Sequence, residues 1–77
     1  MSKLSSLPAK EIMRALQKAE FRIARQKGSH VRLVHVRDSN RYATVAVHSG
    51  DVPRKNVASI LRQARISVEE FLALLRE

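Results

Sequence analysis

The sequence predicts a small α+β fold in which a three-stranded antiparallel sheet is covered by helices on one face. Apolar residues recur at helical spacing near both ends of the chain, and the period falls to two between them. The switches come in the order α-β-β-β-α-α. With 77 residues, the expected organisation is a single domain over 1–77. A domain of that size buries only about 60% of its unfolded surface, so its chemistry belongs on an exposed face or in a shallow groove.

Pro8 opens the first helical pattern, because proline is tolerated in a helix's first turn. Ile12, Ala15, Leu16 and Ala19 then make one apolar stripe, with Lys10, Arg14 and Lys18 as a basic row on another side. Phe21, Ile23 and Arg25 alternate with Arg22, Ala24 and Gln26, which reads as a first strand. Lys27-Gly28 signals a turn, Ser29 to Arg37 a second strand, Asp38-Ser39-Asn40 another turn, and Arg41 to Val47 a third strand. A loop over 48–52 leads to Pro53 and a helix with its stripe at Val57, Ile60, Leu61 and Ala64. Ser67 with Glu70 reads as a capping box, and Ile66 can staple onto Phe71. Val68, Phe71, Leu72 and Leu75 supply the apolar face of that last helix.

Opposite residues of an antiparallel pair share a face, so the strands can be aligned by hydrophobic parity. A three-residue loop at 38–40 sets Val31 against Val47, Leu33 against Val45, His30 against His48 and Arg32 against Ala46. A similar loop at 26–28, with Gly28 in its left-handed last position, sets Ile23 against Val31 and Phe21 against Leu33. It also sets Ala24 against His30 and Arg22 against Arg32. The core face is then expected to hold Phe21, Ile23, Val31, Leu33, Val45 and Val47, and the open face Arg22, Arg32, His30 and His48. Val34 and Val36 fall on the open face, where a partner or the last helix could cover them. His35 has core parity and reads as structural.

The absence of Cys excludes disulfides, thiolate nucleophiles and cysteine-based zinc sites. No apolar run has the length of a signal peptide or approaches the roughly 18 residues of a membrane span, so a cytoplasmic protein is expected. The formal charge is +8, and it is unevenly placed. Residues 1–65 carry fourteen Lys and Arg against Glu11, Glu20, Asp38 and Asp51, whereas residues 66–77 carry Arg76 against Glu69, Glu70 and Glu77. Such an excess suggests a polyanion, nucleic acid above all, although a merely soluble basic surface or an acidic protein partner fits too. Phe21, Tyr42 and Phe71 are too few aromatics for a base-stacking platform.

His30 is set among Arg22, Arg25, Lys27 and Arg32, where a phosphodiester would be drawn. Imidazole exchanges protons near neutral pH. It could take the 2′-hydroxyl proton of RNA while nearby cations stabilise the charge gained in the transition state. That chemistry needs neither metal nor cofactor, and the chain has no carboxylate cluster to hold a metal. An ordinary exposed strand residue is the competing reading of His30. His48 could be a second proton-transfer group, a phosphate contact, or a loop-edge residue bonding Asp51.

The run Arg25-Gln26-Lys27-Gly28-Ser29-His30, followed by a hydrophobic strand, resembles the HicA toxin family of mRNA interferases. The likeness continues through Thr44-Val45-Ala46-Val47-His48-Ser49-Gly50, Ile60-Leu61-Arg62-Gln63-Ala64 and Ile66-Ser67-Val68-Glu69-Glu70-Phe71-Leu72. Leu7-Pro8 and Ala19-Glu20-Phe21 also fit, so it covers nearly the whole chain. The resemblance implies a double-stranded-RNA-binding-domain-like fold and endoribonuclease activity against mRNA, with His30 as the catalytic residue. Lys27, Gly28, Ser29, Arg32, Arg22, Arg25 and His48 are then expected to hold the RNA. The other partner implied is a HicB-type antitoxin; no membrane and no metal is expected. A non-catalytic RNA-binding module of the same fold, using Lys10, Arg14, Arg54 and Lys55, is the alternative. The chain departs from the family pattern at Glu20, Lys55 and Arg65, where glycine is usual, and at Ala46, where proline is usual. A non-glycine residue in a left-handed helix-ending position costs on the order of 1 kcal/mol, which is the expectation at Arg65.

Overall fold

The apolar stripes read from the sequence become the buried faces of the helices. A computed structural model describes residues 4–48 and 50–77. In chain order come β1 (Leu7–Pro8), α1 (Ala9–Lys18), β2 (Phe21–Lys27), β3 (His30–His35), β4 (Tyr42–Ala46), β5 (Asp51–Val52), α2 (Arg54–Ala64) and α3 (Val68–Arg76). The expected α-β-β-β-α-α order is present, with an antiparallel sheet of order β2-β3-β4. A feature the sequence did not announce is the short β1–β5 pair, which joins Leu7 to Val52 and Pro8 to Asp51. Pro8 is accordingly extended, at φ −61° and ψ 142°, and precedes α1 instead of lying in its first turn.

Ala9, Ile12, Ala15 and Leu16 of α1 pack with Val31, Leu33, Ala43 and Val45 of the sheet, all buried. The core is completed by Phe21, Val52, Phe71 and Ile66, and by Val57, Ile60, Leu61 and Ala64 of α2. In α3 only Phe71 is fully buried; Val68, Leu74 and Leu75 pack beside it, so Leu74 takes the place expected for Leu72. Ser67 caps α3 by accepting from the Glu70 main-chain N–H at 3.0 Å.

The β3–β4 register differs from the expected one by two residues, and the β2–β3 register by two as far as Ile23 and by three beyond it. Val31 faces Val45, Leu33 faces Ala43 and His30 faces Ala46, because the β3–β4 loop is longer than three residues. Within that loop Asp38 accepts from the main-chain N–H of Asn40 with its side chain, and from that of Arg41 with its carbonyl. On the other side Phe21 faces His35 and Ile23 faces Leu33. An even step keeps every residue on its face, so the core face survives while its ends do not. Two residues expected in the core lie outside it: Ile23 is 44% and Val47 39% exposed, since β2 runs past the helical cover and Val47 follows the end of β4. Val34 is half-buried opposite Tyr42, Val36 is exposed, and His35 is buried edge-on against the Phe21 ring at 5.1 Å.

Two helix ends use non-glycine residues at positive φ, Glu20 at 74° and Arg65 at 59°. At Arg65 the ending is a Schellman turn: the Ile66 N–H reaches Leu61 O at 3.0 Å, the Arg65 N–H reaches Arg62 O at 3.2 Å, and Leu61 and Ile66 are both buried. Glu20 pairs with Arg37, and its carbonyl accepts from the Val36 N–H at 2.9 Å. Lys55 lies in the first turn of α2. Among the described residues, no helix is long and apolar enough to cross a membrane.

Candidate functional site

The site begins with the turn that joins β2 to β3. Lys27 pairs with His30, so the loop is the two residues Gly28-Ser29 and not 26–28 as expected. Gly28 stands first in that loop at φ +59°, a conformation that glycine adopts without a Cβ penalty. A bulge follows between Ile23 and Arg25, with Ala24 as the extra residue. Ala24 therefore does not face His30, and Arg22 faces Val34 instead of Arg32.

The bulge decides which way the end of β2 points. Under strict alternation from Phe21, the side chains of Arg25 and Lys27 would fall on the core side. The extra residue resets the parity, so Arg25 faces Arg32, Lys27 faces His30, and Gln26 lies opposite buried Val31. Arg22, Arg25, Lys27, His30 and Arg32 are consequently all exposed on the open face. β2, β3 and β4 contain no Asp or Glu. Among the described residues the side chains of Arg22, Arg25 and Lys27 make no hydrogen bond or ion pair, whereas the Arg32 guanidinium rests over the Tyr42 ring, 4.5 Å from its centroid.

His48 does not meet His30. Ala46 occupies the place opposite His30, and His48 follows the end of β4, exposed. The two-residue shift that makes the β3–β4 loop longer carries His48 past the pairing. Ser29 is fixed through its carbonyl, which accepts from the Val47 N–H at 2.6 Å. Ser49, part of the motif that follows, lies outside the described residues.

Beside His30 the open face meets α2 in a cleft of about 190 Å³. His30, Thr44 and Ala46 line it from the sheet, and Asn56, Ser59 and Gln63 from the helix. Val52 and Ile60, both nearly buried, add apolar lining. The same helix closes the edge of β4: the Thr44 N–H donates to Gln63 Oε1 at 3.2 Å, and Arg41 Nε donates to Ala64 O at 2.9 Å. The polar wall was not singled out in the sequence. Its signal was available, since 56, 59 and 63 recur at i, i+3 and i+7 beside the core stripe 57, 61 and 64.

Other cations are engaged in the fold. Arg14 donates to Glu11 at 2.8 Å and to Leu75 O at 3.2 Å, and Lys18 donates to Glu77 O at 2.7 Å, so both hold the end of α3 to α1. Arg14 is thereby engaged away from the nucleic-acid contact that the alternative reading assigns to it. The described residues bring no three of His, Asp and Glu together as a metal site.

No curated protein matches the sequence. A family model described as "HicA toxin of bacterial toxin-antitoxin" matches residues 9–66, a span that runs from the first residue of α1 through the Schellman turn after α2. It includes the Gly28-Ser29 turn, His30, the bulged cationic strand and both walls of the cleft. The chain thus belongs to the HicA toxin family, whose members are the toxin half of bacterial toxin–antitoxin pairs.

Proposed function

We propose that the chain, as one RNA-binding and ribonuclease domain over 1–77, is an mRNA interferase that cuts RNA at His30 and acts in the cytoplasm. The observation that supports this most is a water-accessible imidazole on a carboxylate-free face, flanked by Arg25, Lys27 and Arg32 and beside a cleft. RNA drawn to that face presents its 2′-hydroxyl to His30 Nε2 or Nδ1. The imidazole takes the proton, the 2′-oxygen attacks the adjacent phosphorus, and the 5′-oxygen leaves with a proton returned by the imidazolium or by water. Arg25, Lys27 and Arg32 stabilise the added negative charge, with Arg22 extending the track along β2. Gly28 and Ser29 bring backbone N–H groups close to phosphate, and His48 contacts RNA farther along. A HicB-type antitoxin silences the toxin by covering this same face.

The test is incubation of RNA with wild type and His30→Ala in EDTA, with product ends analysed for 2′,3′-cyclic phosphate. A drop of about 10²–10⁴-fold is expected for the variant with RNA affinity nearly unchanged. RNA left uncut by wild type, or cut equally by the variant, refutes the reading. The separation of His48 from His30 favours one alternative specifically, a non-catalytic RNA-binding module, because a lone imidazole must serve both proton transfers.

A further inference from the structure

We propose that the cleft beside His30 is a base-reading subsite, taking one unstacked nucleobase of single-stranded RNA next to the phosphate that His30 serves. This rests on the open face being an RNA surface and adds to it the origin of sequence preference. Cations on a face position phosphates; sequence is read by groups that meet base edges. The cations of β2 and β3 belong to the first kind, and the wall of α2 belongs to the second.

Size is the first argument. About 190 Å³ is the room of roughly six waters, below the ~300–1,000 Å³ of sites for drug-sized ligands. It suits one heterocycle, with sugar and phosphate at the rim where His30 stands. The lining is the second. Val52, Ile60 and Ala46 offer aliphatic contact to a base plane, while Asn56, Ser59 and Gln63 offer polar groups to its edge.

Hydrogen-bond bookkeeping then gives the wall a sign. Gln63 Oε1 accepts from the Thr44 N–H, which orients the carboxamide and leaves one lone pair and both NH₂ hydrogens free. Ser59 Oγ accepts from Arg62 Nη2 at 3.0 Å, leaving the hydroxyl hydrogen to donate. The Asn56 side chain carries both a donor and an acceptor and has no hydrogen-bond partner among the described residues. The wall is richer in donors than in acceptors, so it selects base edges by their ring nitrogens and carbonyl oxygens.

The experiment uses His30→Ala protein, so that RNA stays intact, and measures affinity for short oligomers of A, C, G or U and for an abasic RNA backbone. At least one base-bearing oligomer is expected to bind about tenfold tighter than the abasic strand. Gln63→Glu retains the oxygen that Thr44 needs and removes the donor, and Asn56→Ala alters an exposed side chain. Each should cut that base preference severalfold with thermal melting near that of the parent. Equal affinity for abasic and base-bearing strands, or an unchanged preference in both variants, overturns the subsite while leaving the ribonuclease reading standing. Base preference that depends on Gln63 in a protein whose wild type cuts nothing upholds the subsite and refutes the ribonuclease. No RNA affinity at low salt overturns both.

Discussion

The bulge at Ala24 makes a quantitative prediction about salt. It places Arg25 and Lys27 on the same face as Arg22 and Arg32, four exposed cations along one track. If each meets one phosphate, single-stranded RNA affinity should fall with a log–log salt slope of about −2.8, from about −0.7 per contact. Between roughly 50 and 200 mM salt that slope weakens binding about 50-fold. Replacing the two residues that the bulge turns outward, Arg25→Gln with Lys27→Gln, should bring the slope to about −1.4 and the weakening to about sevenfold. Fluorescence anisotropy with a labelled oligomer and His30→Ala protein measures both. Arg14→Gln is the control, because that guanidinium is held by Glu11 and the carbonyl of Leu75, and it should leave the slope in place. A slope that stays near its starting value after the double substitution, or that falls equally with Arg14→Gln, refutes the assignment of the track.

Two stability predictions follow from the helix ends. Arg65→Gly removes a left-handed penalty of about 1–2 kcal/mol against a glycine entropy cost of about 0.5–1 kcal/mol. It should raise the thermal midpoint by a few degrees in a melt followed by circular dichroism, and a lowered midpoint refutes the strain argument. Ser67→Ala removes the acceptor for the Glu70 N–H, so a loss of about 1 kcal/mol and a midpoint lower by about 4–8 °C are expected. A melt that does not move would show that the cap contributes nothing.

Parity was the part of the fold that could be read from the sequence, and register was not. Apolar alternation fixes Val31, Leu33 and Val45 on one face whatever the loop length, because a two-residue slip changes no side chain's face. What chooses between slips is local turn chemistry. Asp38 bonds back to Asn40 and lengthens one loop, and Gly28 at the first loop position shortens the other. The bulge at Ala24 leaves no composition signature, since alanine neither demands nor forbids it. Its sole trace is that Arg25 breaks the apolar alternation begun by Phe21 and Ile23. The β1–β5 pair is two residues on each side, too short for any period to declare it. In the candidate site, His30 and its cations were legible from a motif and a charge count. The α2 wall was not, because its amides and hydroxyl look like an ordinary solvated helix face until β4 is laid beside it.

Two groups of cations in the chain do different work. Arg14, Lys18 and Arg41 end on main-chain oxygens at helix C-termini, and Arg37 ends on Glu20 beside a strained turn. Such positions favour cations, because carbonyls there have no partner within the helix. These four would be present in a protein of the same fold that bound no polyanion at all. Arg22, Arg25 and Lys27 satisfy nothing in the fold, and they stand on an edge strand with no carboxylate to offset them. Cations on an edge strand discourage pairing with other chains, which explains their exposure but not their common face. An edge needs charge on either side of the strand, whereas a bulge that turns two cations towards one imidazole, in line with a third, serves an anion that arrives from one direction. That asymmetry, and not the total of +8, is the physical reason to look for a phosphate chain across this face.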